Sequence, residues 1–208
     1  MHQVPHLTSL SPTTRETLDL DPPAHRRASE RFLIDATPEV ALTSDDLRAV
    51  TGFAAACAES VIDLYETAHP ADTRPRDAID AARAFADGGR RGKALRDVAW
   101  AALRAAGETD TPAAEHAARA AMAAASAAYL HPLANATQVR HILGAAAHAA
   151  RSSELAAGEE AAAAQLDEAR RAATPVVVAV LERYPAAPPG GGRVGELLRE
   201  LDAALRPR

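Results

Sequence analysis

The sequence has only one cysteine, Cys57, among its 208 residues. A single thiol excludes an intrachain disulfide and is typical of a reducing compartment, where it usually packs as a small apolar side chain. Residues 1–20 contain no apolar run like that of a signal peptide, and no window approaches the roughly 18 apolar residues of a membrane span. These absences predict a cytoplasmic protein with no membrane segment.

Aromatic residues are also scarce, at 3% of the chain, although 48% of the residues are apolar. Alanine supplies most of that apolar character. It has the highest helix propensity of the residues and buries little surface per side chain. The composition therefore predicts many helices that pack closely through small side chains, in a chain long enough for one compact domain.

Several sequence motifs of catalysis are missing. There is no His-Glu-x-x-His, no Gly-x-Ser-x-Gly and no P-loop, and Glu66-x-x-His69 occurs once where a di-iron bundle needs that spacing on two helices. The glycine-rich stretch 190–195 follows prolines rather than a strand, so it does not indicate a dinucleotide site. The net charge of -5 argues against nucleic-acid binding, which requires a basic surface. We expect no metal, no cofactor and no nucleic-acid partner.

Local start and stop signals divide the chain into helices. Thr43 to Asp46 place a hydroxyl and carboxylates at a helix start, prolines 75, 112 and 175 occupy first turns, and Gly158 marks a helix end. Residues 43–208 are therefore predicted to form an all-α, single-domain bundle of about seven to nine helices. Residues 1–42 are predicted to be an N-terminal arm with short helices near 14–20 and 26–35. The predicted helices of the bundle cover about 43–68, 75–87, 93–106, 112–130, 137–157, 159–173, 175–184 and 193–205.

Polar side chains are concentrated between Tyr129 and His148, in a chain that is otherwise mostly alanine and charged residues. General acid–base catalysis needs a proton donor and a proton acceptor within reach of one substrate. This stretch could supply them, with His141 as the base and Tyr129 or His131 as the acid. Each histidine could equally cap a helix or satisfy the core, and the sequence leaves both alternatives open.

The catalytic hypothesis places a pocket between the helix ending at Tyr129 and the helix carrying His141. Its substrate would be a small hydrophobic metabolite that undergoes an isomerisation or an intramolecular cyclisation, such as epoxide opening by an internal hydroxyl. The residues expected to bind that substrate are Trp100, Met122, Gln138, Arg140 and His148.

A second hypothesis concerns the predicted helix 43–68, on which Glu59, Asp63 and Glu66 share one face. Such a stripe is usually a solvated helix surface. It could also bind a protein partner with a basic surface. Charge reversal on the stripe would separate these two interpretations.

Two blocks of the chain have a recognisable pattern of residues. They are Cys57–Glu59, Leu64–Glu66, Pro70, Asp72, Arg74–Ile79 and Ala82–Ala86, and then Ala128–Leu133 with Gln138–Gly144. Both blocks resemble the immunity proteins of bacterial polymorphic toxin systems. The resemblance covers about residues 43–206 and implies an all-α fold, a cytoplasmic setting and a protein toxin as partner.

The composition is similar to that of actinobacterial members, and a second copy of the chain is an additional expected partner. A nuclease is not expected, because the sequence has no Walker A motif and no metal–carboxylate cluster.

Overall fold

A computed structural model describes residues 38–207, which all belong to one compact unit. This part of the chain contains nine α-helices and one short 3-10 helix, so the prediction of an all-α bundle of about seven to nine helices is confirmed there. The short helices predicted near residues 14–20 and 26–35 lie outside the described residues. The helices are α1 (Ser44–Glu59), α2 (Ile62–Ala68), α3 (Arg74–Ala86), α4 (Lys93–Glu108), α5 (Pro112–Ala127), the 3-10 helix (Ala136–Gln138), α6 (Val139–Ala157), α7 (Glu159–Ala172), α8 (Pro175–Glu182) and α9 (Gly192–Leu205).

The start of α1 is a capping box. Thr43 Oγ1 accepts a hydrogen bond from the amide of Asp46 at 3.0 Å, and Asp46 Oδ2 accepts one from the amide of Thr43 at 2.9 Å. Asp46 is also buried against Arg183, whose Nη1 donates to Oδ2 at 2.8 Å. The guanidinium of Arg183 holds the pKa of Asp46 below its ordinary value. One carboxylate thus satisfies the helix start and ties α1 to the end of α8.

Helix α5 is the centre of the bundle. It packs against α1, α2, α3, α4 and α6, and its buried residues cover more than half of its circumference, which leaves one half-buried face with Glu115, Arg119, Met122 and Ser126. Small side chains let its neighbours approach closely: a Cβ added at Gly144 of α6 would lie 3.8 Å from Ala123 Cβ. The buried residues of α5 are Ala114, Ala117, Ala118, Ala120, Ala121, Ala123, Ala124, Ala125 and Ala127.

The sequence pattern predicts one helix over 43–68, but the structure has two. The break lies at Ser60 and Val61, between α1 and α2. Ser60 Oγ donates to the carbonyl of Cys57 at 2.8 Å and accepts from Nε2 of Gln165 on α7 at 2.8 Å. A serine hydroxyl that bonds to the preceding turn competes with the helix ladder, and the bond from Gln165 holds it there. This long-range partner is invisible in the local sequence pattern.

Cys57 lies in the core, where only 4% of it is exposed. Burial raises the pKa of its thiol to about 12, with a smaller contribution from Glu168. The thiol therefore stays protonated at neutral pH and packs as a small apolar group on α1.

Within residues 38–207, no helix combines the length and the hydropathy that a membrane crossing requires. The longest helix of that region is α6, with 19 residues, and its first four turns include Arg140, His141, His148 and Arg151.

Candidate functional site

A pocket of about 530 Å³ lies between α5, α6 and the start of α9. Its apolar walls come from Met122 and Ala123 on α5 and from Val194 and Leu198 on α9. Its polar side chains come mainly from the facing surfaces of α5 and α6. The volume is in the range of small-molecule sites, and polar groups among apolar walls are typical of such sites. The polar groups that line it are Glu115, His116, Arg119, Ser126, Arg140, His141 and His148.

The tautomer of His141 follows from its hydrogen bond. Its Nδ1 lies 3.1 Å from the carbonyl oxygen of Ser126, which can only accept, so Nδ1 carries the proton. Burial lowers the pKa of His141, although the bond to Ser126 opposes that shift. A neutral ring with its proton on Nδ1 has its lone pair on Nε2. His141 therefore offers the pocket a hydrogen-bond acceptor and a base.

Two further histidines meet across the α5–α6 contact. Nδ1 of His116 and Nδ1 of His148 are 3.0 Å apart, so one ring must donate and the other must accept. Burial lowers the pKa of both rings, and it lowers that of His148 to about 3, with smaller contributions from the charges of His116 and Arg119. The pair can take up one extra proton but not two, because two imidazolium rings would face each other with no acceptor between them.

These pKa shifts predict a loss of stability in weak acid. The folded pKa of His148 lies below its ordinary value of 6.5, so the unfolded chain binds a proton between pH 6.5 and 3 that the folded chain does not. Stability present above pH 6.5 is therefore lost as the pH falls. For His148 alone we expect a loss of about 2 kcal/mol between pH 7 and 5. Urea denaturation at the two pH values measures it.

The matched variant for this prediction is His148→Gln, which keeps a hydrogen-bonding side chain but does not titrate. Its stability should change less between pH 7 and 5 than that of the unaltered protein. His116 and His141 shift in the same direction and should retain part of the effect. An identical pH dependence in the two proteins would contradict the assignment of a neutral, buried His148.

The charged groups of the pocket differ in their partners. Arg119 Nε donates to Glu115 Oε1 at 2.7 Å, so these two side chains largely neutralise each other. Arg140 has no carboxylate partner within the described region, and its Nη2 lies 4.0 Å from where a Cβ on Gly191 would stand. The pocket therefore carries one uncompensated positive charge on its α6 side, beside neutral histidines.

The segment 188–195 forms the third wall of the pocket. Its close backbone approach requires glycine. A Cβ on Gly195 would collide with the carbonyl oxygen of Gly190, so no other residue fits without a shift of the backbone. Arg199 Nη1 donates to that same oxygen at 2.7 Å. Asp202 Oδ2 accepts from the amide of Ala187 at 2.9 Å and holds the beginning of the segment.

The structure brings four of the predicted site residues to this pocket: Met122, Arg140, His141 and His148. The other four predicted residues of the catalytic hypothesis lie elsewhere. Tyr129 donates its hydroxyl to the carbonyl of Gly92 at 2.7 Å, and Trp100 is 61% exposed on α4. The hydroxyl of Tyr129 is thus already engaged outside the pocket.

His131 and Gln138 lock the turn between α5 and α6. The amide of His131 donates to Gln138 Oε1 at 2.9 Å, and the carbonyl of His131 accepts from the hydroxyl of Tyr184 at 2.8 Å. Nδ1 of His131 accepts from the amide of Leu133 at 3.3 Å. All three contacts stabilise the path of the chain, and neither residue lines the pocket. The acid predicted at Tyr129 or His131 is therefore not placed beside His141.

The acidic stripe of Glu59, Asp63 and Glu66 is divided by arginines of α3. Arg76 donates to Glu59 Oε1 and to Glu66 Oε1, both at 2.7 Å, and Arg83 lies 3.1 Å from Glu59. Arg76 holds the pKa of Glu66 below its ordinary value. Of the three carboxylates of the stripe, only Asp63 is exposed and forms no ion pair with the described residues. The stripe thus presents far less free negative charge than its sequence indicates.

The sequence reasoning missed His116, Glu115 and Arg119. A signal for them exists: extending the Met122–Ser126 face of α5 backwards by three residues at a time reaches Arg119 and then His116. Residues 190–195 also line the pocket, although a glycine-rich segment that follows prolines gives no local sign of such a role.

The fold and the pocket define an all-α protein with a small-molecule-sized cavity beside its central helix. A family model described as Imm-5 like putative immunity protein matches residues 41–175, more than half of the chain. The chain therefore belongs to this immunity protein family. The match includes α1 to α7, whereas the wall at 188–195 and α9 lies beyond it. No curated protein and no solved structure matches the chain.

Proposed function

We propose that this protein is an immunity protein, which binds a toxin polypeptide in the cytoplasm and blocks its activity. The observation that carries the proposal is the family match over residues 41–175. A rigid bundle is well suited to this role, because a surface built on packed helices loses little conformational freedom when a partner binds. The single buried cysteine fits a cytoplasmic setting, where disulfides are rare.

The proposal is tested by protection of growing cells. Candidate toxin domains of bacterial polymorphic toxin systems are induced one at a time in a host strain with and without this chain, beside an unrelated immunity protein as the control. We expect this chain to restore growth against one of them, and to form a stable complex with that toxin domain after purification. Continued killing by every candidate, with the chain folded and abundant, would refute the immunity function.

A second candidate function rests on one specific observation, the free Nε2 of His141 in the pocket. A neutral imidazole in a partly apolar cavity is a suitable general base. In this candidate the protein is a cofactor-free enzyme that acts on a small hydrophobic metabolite. The uncompensated guanidinium of Arg140 would bind a polar or anionic end of that metabolite, and Met122, Val194 and Leu198 would bind its apolar part.

The chemistry of this candidate is an isomerisation or an intramolecular cyclisation. For an epoxide, Nε2 of His141 takes the proton of the substrate's hydroxyl while that oxygen forms a bond to an epoxide carbon. The carbon–oxygen bond of the epoxide breaks, and the guanidinium of Arg140 would stabilise the negative charge on the leaving oxygen. That oxygen then takes the proton back from Nε2 of His141, which restores the neutral ring.

The enzyme candidate predicts a sharp difference between two histidines. His141→Asn keeps a donor for the Ser126 carbonyl but removes the base, and turnover of a metabolite that stabilises the protein in a thermal screen should fall by about 10²–10⁴-fold. His131→Ala, outside the pocket, is the control and should leave turnover unchanged. Equal turnover by the His141→Asn variant and the unaltered protein would rule out His141 as the base.

A further inference from the structure

Trp100 is the one tryptophan of the chain, and the structure exposes 61% of it to solvent. Tryptophan is among the most buried residues on average, so its exposure on a rigid helix is unusual. The buried residues of α4 are Leu95, Ala99, Ala102, Ala105 and Ala106, and Trp100 lies on the opposite, outward side. The indole therefore contributes little to the core of this protein.

Arginines surround this indole. Arg96 and Arg104 stand four residues before and after Trp100, so the three side chains neighbour one another along one exposed row of α4. The guanidinium of Arg96 lies 5.5 Å from the ring centre of Tyr129, and that of Arg91 lies 5.7 Å from it. We call the surface formed by Arg91, Arg96, Trp100, Arg104 and Tyr129 the Trp100 face.

The arginines of the Trp100 face form no ion pair within the described residues, although Glu108 lies close enough to Arg104 to interact with its charge. The nearby carboxylates of α4 have other partners: Asp97 pairs with Lys93 at 2.6 Å, and Glu108 pairs with Arg74 at 2.6 Å. Within residues 38–207, no carboxylate forms an ion pair with the three arginines of the face. The chain as a whole has a formal charge of -5, so this basic surface is a local exception.

We propose that the Trp100 face is the surface that docks an acidic face of the toxin polypeptide, with the indole of Trp100 buried in an apolar notch of that partner. The inference rests on the proposed immunity function and gives it a location. Tryptophan, tyrosine and arginine are the residues most enriched at the energetic centre of protein interfaces. The arginines of this face make the partner's side of the interface acidic by charge complementarity.

Rigidity adds to the case for this face. The hydroxyl of Tyr129 is bonded to the Gly92 carbonyl, and Arg91 Nη1 donates to the Ala128 carbonyl at 3.0 Å. These bonds fix the ring and one guanidinium before any partner arrives, which reduces the entropy lost on binding. A nucleic-acid strand is a poorer fit, because three arginines in a chain of net charge -5 supply little of the field that a phosphate backbone requires.

The test measures the affinity of variants for the purified toxin domain against which this chain protects cells. We expect Trp100→Ala to weaken binding by about 30-fold or more, and Arg104→Glu by about tenfold. Both residues are exposed, so the variants should keep the thermal stability of the unaltered protein. Arg171→Glu, the same charge reversal at an exposed arginine of α7, is the matched control and should change binding by less than about twofold.

A second measurement follows the indole directly. Because the chain has one tryptophan, protein made with 5-fluorotryptophan gives one ¹⁹F resonance. Addition of the toxin domain should shift that resonance and protect it from a soluble paramagnetic quencher. A residue with a merely structural role would not respond in this way.

The outcomes separate this inference from the function on which it rests. If the toxin domain binds and cells are protected, but Trp100→Ala and Arg104→Glu bind normally, the function stands and the Trp100 face is wrong. If only Asp63→Lys weakened binding of the toxin domain, the docking surface would lie on α2 and not at the Trp100 face. If the unaltered protein binds no toxin domain, both proposals fail. Binding of a DNA duplex that these two variants abolish would also overturn the docking of an acidic protein.

Discussion

Replacing Ala124 with leucine is expected to lower the free energy of unfolding by about 3 kcal/mol, the upper part of the usual range for overpacking. Ala124 is fully buried in α5, which packs against five other helices. Three extra carbon atoms have no room there unless neighbouring helices move apart. For a chain of this size the loss corresponds to a fall in melting temperature of about 10 °C. Urea denaturation and thermal scans both measure it.

The control for this prediction is Ala163→Leu, which makes the same change on the exposed side of α7. It should alter stability by less than about 0.5 kcal/mol, because surface substitutions seldom do more. Equal effects at the two positions would mean that α5 is not held by close packing of small side chains. Ala124 does not line the pocket, so the test concerns the bundle alone.

Removing the carboxylate of Asp202 should cost about 3 kcal/mol and loosen one wall of the pocket. Only 4% of this side chain is exposed, and it accepts hydrogen bonds from the amide of Ala187 at 2.9 Å and from Arg206 Nε at 2.8 Å. In Asp202→Ala the guanidinium loses its partner and the Ala187 amide loses its acceptor. Denaturation measures the stability, and hydrogen exchange at Ala187 measures the loosening.

Asp167→Ala is the comparison, since it breaks an ion pair of similar sequence spacing on the surface. Asp167 and Arg170 are 60% and 51% exposed, so we expect a cost of less than about 0.5 kcal/mol. Asp202 would not hold the segment before α9 if Asp202→Ala lowered the free energy of unfolding no more than this control does. The same conclusion would follow if hydrogen exchange at Ala187 were unchanged.

The fold class could be predicted from the sequence because the helix signals are local. The hydroxyl and carboxylate at Thr43 and Asp46 form the expected capping box, and Gly158 ends α6 with a positive φ of 92°. Such signals involve residues within four positions of each other, so one sequence is enough to find them. The break at Ser60 was missed because it depends on Gln165, which lies 105 positions away.

The candidate site was harder to predict than the fold class, because its contacts also join residues that are far apart in the sequence. His141 and His148 are both among the site residues that the sequence predicts, and both line the pocket. The partner of His148 is His116, 32 residues earlier, and no periodicity indicates that two helices bring those rings to 3.0 Å. Arg76 stands four residues before Asp80, a spacing that by itself predicts an ion pair along one helix. In the structure Arg76 instead pairs with Glu59 and Glu66, which neutralises most of the acidic stripe.

The proposed immunity function requires that the chain binds a toxin polypeptide directly. A calorimetric titration of the purified toxin domain with the full chain, at low and at high salt, measures that binding. We expect a defined stoichiometry, nanomolar affinity, and weaker binding at high salt because the Trp100 face is basic. The absence of binding heat at both salt concentrations, with both proteins folded, would contradict the proposed immunity function.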